Sequence, residues 1–263
     1  MKKVTNFLPN HNSKANTHHT CNHKFNIFLF FLLLACISLC AVFHISQTKI
    51  PVVSNKFFLK KITNTASHQF AVVIDPGHGG KDPGKVGSSE TLEKDINLKI
   101  ALYLKEILEA QDIHVIMTRT EDKDLSNTSV NFKISDMKKR VDLIKESAAD
   151  LVISIHQNSY TDPDVYGAQC FYHDNSTEGK QLADIIQKQI IISTKQTKIR
   201  EIKGNTDYYL LKYSPVPTII VECGFLSNPQ EEQLLLSEEY QRKMAWGIHL
   251  GILQYLNTTI KSS

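Results

Sequence analysis

From Phe70 onward the chain repeats one theme, and that theme restricts its fold most: a short apolar run, a polar turn, then a helical stripe. The run from Phe70 to Ile74 is continuously apolar and is closed by Pro76 and Gly77, as expected of a buried strand. Ile96, Ile100, Leu104, Ile107 and Leu108 then form a helical stripe, and Ile113 to Met117 reads as the next strand. Ile134, Met137, Val141, Ile144 and Ala148 step by three and four, predicting a second amphipathic helix. Leu151 to Ile155, Gly167 to Tyr172 and Thr218 to Val221 read as further strands, with a helix around Leu182, Ile185, Ile186 and Gln189. Tyr240, Met244, Ile248, Ile252 and Tyr255 mark a closing helix. Strands alternating with helices predict an α/β fold with a mainly parallel or mixed sheet. One domain over residues 70–257 accounts for the pattern, which contains no internal repeat.

The residues before it have another character. Residues 1–26 form a basic tail with Lys2, Lys3, Lys14 and Lys24, and with His11, His18, His19 and His23. Residues 27–45 are uncharged apart from any proton on His44, and as a helix they are long enough to cross a bilayer. The preceding lysines favour an orientation with the N-terminus inside, so the run reads as a signal anchor that exports the domain C-terminal to it. Cys36 after Leu33, Leu34 and Ala35 faintly resembles a lipoprotein cleavage site, but Leu34 and the apolar residues beyond Cys36 argue against it. Residues 46–69 read as a polar tether. The net charge of +3 is too small to argue for nucleic acid. Of five cysteines only Cys170 and Cys223 fall in the domain. Both lie in apolar runs where free thiols pack well, so neither a disulfide framework nor a cysteine metal site is expected.

Sites in open α/β sheets gather at the carboxyl ends of strands. His78 follows the first strand in DPGHGG, His156 closes the third in ISIHQN, and Glu222 closes the last in VECGF. Glu93 falls in the first turn of the helix after the glycine-rich loop. Two imidazoles and two carboxylates are therefore expected to converge on one rim. Hydrolytic zinc needs three protein donors and an open position, and two His with one Glu is a standard set. A further carboxylate is needed to move the proton. Taken singly, these residues have plainer readings: a hydrogen-bonded histidine, or a favourable acid at a helix N-terminus. Glu222 is the strongest single signal, because a carboxylate in an apolar run is costly without a cationic partner. The glycine-rich loop could suggest a phosphate cradle, but Lys81 has no Ser or Thr after it and the P-loop order is missing. The glycines fit better as backbone passing close to a metal. Cys223 beside Glu222 has no base assigned to it and reads as a buried structural thiol rather than a nucleophile.

The segments VVIDPGHGGKDPG, TLEKDINL, VIMTRTED, LVISIHQNS and VPTIIVECGFLSNPQE, in this order and spacing, resemble the zinc-dependent N-acetylmuramoyl-L-alanine amidase family. The resemblance covers essentially all of residues 70–257. It implies a six-stranded mixed sheet flanked by helices, with zinc held by His78, Glu93 and His156 and with Glu222 as the catalytic residue. Arg119 stands where the family pattern also carries arginine; it would orient a muropeptide carboxylate or pair with Glu121 or Asp122. The substrate implied is peptidoglycan, cut between the lactyl group of muramic acid and L-alanine. The chain also resembles the small membrane-anchored amidases of spore-forming bacteria. That subgroup implies a role in cortex maturation, a downstream deacetylase leading to muramic δ-lactam, and an accessory lipoprotein. It also implies a place on the outer face of the cytoplasmic or forespore membrane, or secretion if the signal is cleaved. Gln157 and Cys223 depart from the common pattern, and neither removes a ligand.

The donor set alone leaves two rivals open. One is a zinc peptidase acting on the stem peptide. The other is an inactive wall-binding scaffold, against which the intact His78, Glu93, His156 and Glu222 argue.

Overall fold

The apolar runs become the centre of a sheet. The computed structural model describes residues 69–260; the basic tail, the apolar run 27–45 and nearly all of the tether lie outside the described residues. The strands are β1 (Ala71–Pro76), β2 (His114–Met117), β3 (Leu151–Asn158), β4 (Gln169–His173), β5 (Lys203–Asn205) and β6 (Thr218–Phe225). The helices are α1 (Glu93–Glu109), α2 (Phe132–Glu146), α3 (Thr177–Thr194), α4 (Tyr209–Tyr213), α5 (Pro229–Leu236) and α6 (Glu238–Ile260). The strands form one six-stranded sheet in the order β2-β1-β3-β6-β4-β5. β2, β1, β3 and β6 run parallel, whereas β4 is antiparallel to β6 and pairs in parallel with β5. The mixed α/β architecture expected from the sequence is therefore present. Among the described residues, no helix is long and apolar enough to cross a membrane.

Alternation along each strand separates two cores. Val72, Ile74, Ile153, Ile155, Ile219 and Val221 join α1, α3, α5 and α6 on one face. Ala71, Val73 and Val152 meet Val141 and Ile144 of α2 and Leu210 of α4 on the other. Each fully buried aliphatic side chain contributes roughly 1.5–3 kcal/mol. The second face is the less apolar one, and it bears Ser154, His156, Ile220 and Glu222.

The stripe expected on α2 is only partly its inner face. Ile134 is 56% exposed, and Ala148 lies beyond the helix with φ 49°. In their place Asp136 and Arg140 turn inward with Val141 and Ile144. Arg140 is 1% exposed and donates to Asp75 Oδ1 (2.6 Å), Asp136 Oδ2 (2.7 Å) and the carbonyls of Pro76 (2.9 Å) and His78 (2.7 Å). Thr118 and Ser154 complete the set by donating to Asp75 at 2.7 and 2.6 Å. A helix face reserved for this network cannot also be apolar.

Burial works to raise the Asp75 carboxyl, but the charge of Arg140 and the bonds from Ser154, Thr118 and Arg140 outweigh it and hold it at about 2. The folded value lies below the ordinary one. The resulting stabilisation is therefore complete above about pH 4 and lost as pH falls towards 2. It amounts to on the order of 2 kcal/mol. Asp75→Asn is expected to lower the unfolding free energy at pH 7 by about 2–4 kcal/mol, because Arg140 loses one of its two buried carboxylate partners. It is also expected to flatten the acid dependence between pH 4 and 2. Urea titrations across that range measure both, and a variant as stable as the parent at pH 7 contradicts the account.

Candidate active site

β1 and β3 are neighbours, so the loop after β1 and the end of β3 lie side by side at the carboxyl edge. His78 sits in that loop with φ 61°, a left-handed conformation that costs a non-glycine residue about 1–3 kcal/mol and persists only where the surroundings over-determine it. Here the surroundings are two buried guanidiniums. Arg140 takes the carbonyls of Pro76 and His78, and Arg119 takes those of Pro76 (3.0 Å) and Gly77 (3.0 Å). Gly77 has no alternative residue, since a Cβ there would collide with the His156 ring.

Glu93 opens α1 over the same edge and is 1% exposed. Its Oε1 lies 3.0 Å from His156 Nδ1 and accepts from Gln157 N–H at 3.1 Å and from Asn97 Nδ2 at 3.3 Å. Its Oε2 lies 3.2 Å from His78 Nε2 and accepts from Lys85 N–H at 2.8 Å. Burial works to raise the Glu93 carboxyl, but hydrogen bonds and charge from His156 and His78 hold it well below the usual carboxylate range. Burial likewise works to lower His156, and Glu93 reverses this so that the imidazole is raised. The Nδ1 of His78, on its far side, lies 2.8 Å from Asp82 Oδ2, and Lys133 contacts the other Asp82 oxygen at 2.7 Å. Asp82 does not stand out in the sequence, where its one local signal is a carboxylate four residues after His78.

One donor atom from each of His78, Glu93 and His156 falls within 4.8 Å of the others. Two imidazole nitrogens and one carboxylate oxygen, with the far nitrogen of one imidazole on a carboxylate, suit zinc and the outer partners that orient its ligands. The predicted trio is therefore brought together.

Glu222 is the Cα partner of His156 across β3 and β6, so the two side chains emerge on one face. Both strands run past the residues expected to end them, β3 to Asn158 and β6 to Phe225, with a register shift between His156 and Asn158. Glu222 is 8% exposed, and its Oε2 has no hydrogen-bond partner. Burial pushes its carboxyl up to about 7; His156 and His78 oppose the rise and Glu93 adds to it. A cavity of about 340 Å³ opens beside it, lined by His78, His156, Lys133, Met137, Tyr208 and Ile220 among others. Arg119 does not reach that cavity. It is 1% exposed, and its N–H groups go to the carbonyls of Pro76, Gly77, Lys94 and Glu121 rather than to an acidic side chain. Cys170 and Cys223 are free and buried, and burial pushes the Cys223 thiol well up, as suits a structural residue. His249 is 1% exposed, lies on α6 and packs its ring against Trp246.

Residues 72–254 match the N-acetylmuramoyl-L-alanine amidase family. The chain belongs to that family. It is similar to the germination-specific N-acetylmuramoyl-L-alanine amidase of Bacillus subtilis, 39% identical over 188 residues that make up 70% of this chain and 78% of that protein. Among solved structures it is similar to the CwlD amidase from Clostridioides difficile, determined in complex with the GerS lipoprotein. That match has 39% identity and a TM-score of 0.70, and covers 72% of this chain and 99% of that one. The amidase AmiC2 of Nostoc punctiforme is also similar, at 35% identity and a TM-score of 0.65 over 73% of this chain and 99% of that one.

The amidase fold raises Glu222 above its ordinary value of 4.5, so it favours the neutral acid. That contribution is present below about pH 4.5 and lost as pH rises through about 7. Glutamine cannot ionise and escapes the loss. After removal of metal by chelator, Glu222→Gln is expected to be more stable than the parent at pH 8, by up to about 3 kcal/mol, and similar near pH 4. Chemical denaturation at the two pH values checks this. A parent at least as stable as the variant at pH 8 contradicts the buried, unpaired carboxylate.

Proposed function

We propose that this chain hydrolyses the amide between the lactyl group of N-acetylmuramic acid and L-alanine in peptidoglycan. We propose also that His78, Glu93 and His156 hold a zinc ion and that Glu222 carries the proton. The observation behind this reading is a buried carboxylate, one oxygen unpartnered, that lines one cavity with His78 and His156, two of the three converging donors. When bound, zinc supplies Lewis acidity towards a carbonyl oxygen and makes water a nucleophile at neutral pH. Glu222, buried and with one oxygen unpartnered, accepts a proton from the attacking water and passes it to the departing alanine nitrogen. Asp82, steadied by Lys133, fixes the ring of His78, and Gln157 N–H and Asn97 fix the carboxylate of Glu93. Met137, Leu210 and Ile220 give the cavity an apolar floor on which the substrate excludes water from Glu222.

Its relatives support a narrower role. One is germination-specific and another was solved with a lipoprotein. We therefore place this chain in spore cortex maturation, upstream of a deacetylase that leads to muramic δ-lactam, and assign it an accessory lipoprotein. The apolar run 27–45 anchors it by its N-terminus, so the domain lies on the outer face of the cytoplasmic or forespore membrane.

The test is mass spectrometry of the ends released from purified peptidoglycan by the full-length, zinc-supplied chain. Stem peptides beginning with L-alanine are expected. Glu222→Gln is expected to lower turnover by about 10²–10⁴-fold while still binding zinc. Fragments that keep the lactyl amide would establish a stem peptidase instead, and a variant with parental turnover would remove Glu222 from the mechanism.

A further inference from the structure

α1 carries the proposed ligand Glu93 at its first position, yet its N-cap, Leu92, supplies no side-chain hydrogen bond. A tight hairpin holds the helix start instead. Lys85 N–H donates to Glu93 Oε2 at 2.8 Å, and Glu93 N–H returns to the Lys85 carbonyl at 3.0 Å. Val86 bridges Leu92, Gly87 N–H donates to the Thr91 carbonyl at 2.9 Å, and Glu90 turns the corner with φ 61°. Ser88 and Ser89 at the tip are exposed, which by itself would leave the hairpin free to move.

The tip is held from the far end of the sequence. Glu232 on α5 is 0% exposed. Its carboxylate accepts from the Ser88 hydroxyl, from Ser89 N–H at 3.0 Å and from the Ser89 hydroxyl at 3.4 Å. Burial works to raise this group, and the bonds from Ser88 and Ser89 lower it, so it stays ionised and the bonds are charge-assisted. Gly87 lies so close that a Cβ on it would collide with Glu232 Oε1. α5 itself is fixed, with Asn228 capping its N-terminus and Leu235 fully buried in the core. It comes directly after β6, the strand of Glu222.

We infer that Glu232 is a positioning residue: by pinning the tip of the 85–93 hairpin, it sets Glu93 for the metal and ties that ligand to the strand of Glu222. The inference rests on the metal reading above. A loosened tip shifts Lys85 N–H, and Glu93 Oε2 then loses its backbone donor, which leaves Gln157 N–H and Asn97 to hold the carboxylate through Oε1 alone. Glu93 thereby gives up part of its pre-arrangement towards His78 and His156.

The test is the zinc dissociation constant of the full-length chain, measured by competition with a chromophoric chelator, alongside urea unfolding of the metal-free forms. Glu232→Gln is expected to weaken zinc by about tenfold, the scale of lost outer-shell partners, and Ser88→Ala to act in the same direction by less. Leu235→Ala supplies the comparison, because it loosens the same helix without touching the carboxylate. It is expected to lose at least as much stability and to keep zinc affinity within about twofold. Should Glu232→Gln fail to fold, Gly87→Ala takes its place by displacing the carboxylate from the hairpin. Zinc affinity unchanged by these hairpin variants, or weakened equally by Leu235→Ala, overturns the inference. A parent that binds no zinc overturns the metal reading itself, and this inference with it.

Discussion

The carbonyl oxygens of Pro76, Gly77 and His78 turn inward onto the guanidiniums of Arg119 and Arg140, and the rest of the site depends on that grip. A loop that is rich in glycine and holds His78 in the left-handed region would not keep one shape by itself. Two like charges buried together are costly. Burial and the neighbouring Arg140 push Arg119 down to about 10, which still leaves it charged at neutral pH. Asp75 and Asp136 offset the pair, and Asp75 is in turn held by Thr118 and Ser154. Removing one member would leave an uncompensated charge, so the network acts as a unit.

On this frame the site sorts its carboxylates by their surroundings. Glu93 and Glu222 are both buried, and both feel the same His156. Glu93 has two imidazoles and three further N–H donors, and it stays charged, as the proposed ligand role requires. Glu222 has an oxygen with no partner, and without metal burial raises its carboxyl to about 7. The β3–β6 register makes the difference. It sets Glu222 beside His156, while Glu93 arrives from a helix and meets donors of the loop after β1, of β3 and of its own helix.

The parts of the fold that were legible in the sequence are those where burial dictates composition. β1, β3 and β6 are covered on both faces and read as apolar runs, and His78, His156 and Glu222 were conspicuous at their ends. β5 escaped because Lys203, Gly204 and Asn205 form a short edge strand defined by β4 rather than by their own side chains. α4 is five residues long, too short to show a helical period. Arg140 was missed because it comes after Lys138 and Lys139, where charges normally face solvent. Nothing local reveals that Asp75, 65 residues away, draws one of them inside. Arg119 stands out by its motif, but its contacts are to carbonyls, which residue types do not disclose. Glu232 was hidden for a similar reason, since an acid in the first turn of a helix ordinarily serves the helix dipole.

The proposed chemistry stands on one coordination set, and X-ray absorption at the zinc edge of the zinc-loaded, full-length chain reads that set directly. The expected first shell is nitrogen and oxygen at about 2.0–2.2 Å, two imidazoles and one carboxylate among the ligands, with the imidazole signal halved in His156→Ala. A sulfur shell at about 2.3 Å, or an imidazole count unchanged in that variant, would place the metal elsewhere and contradict the account.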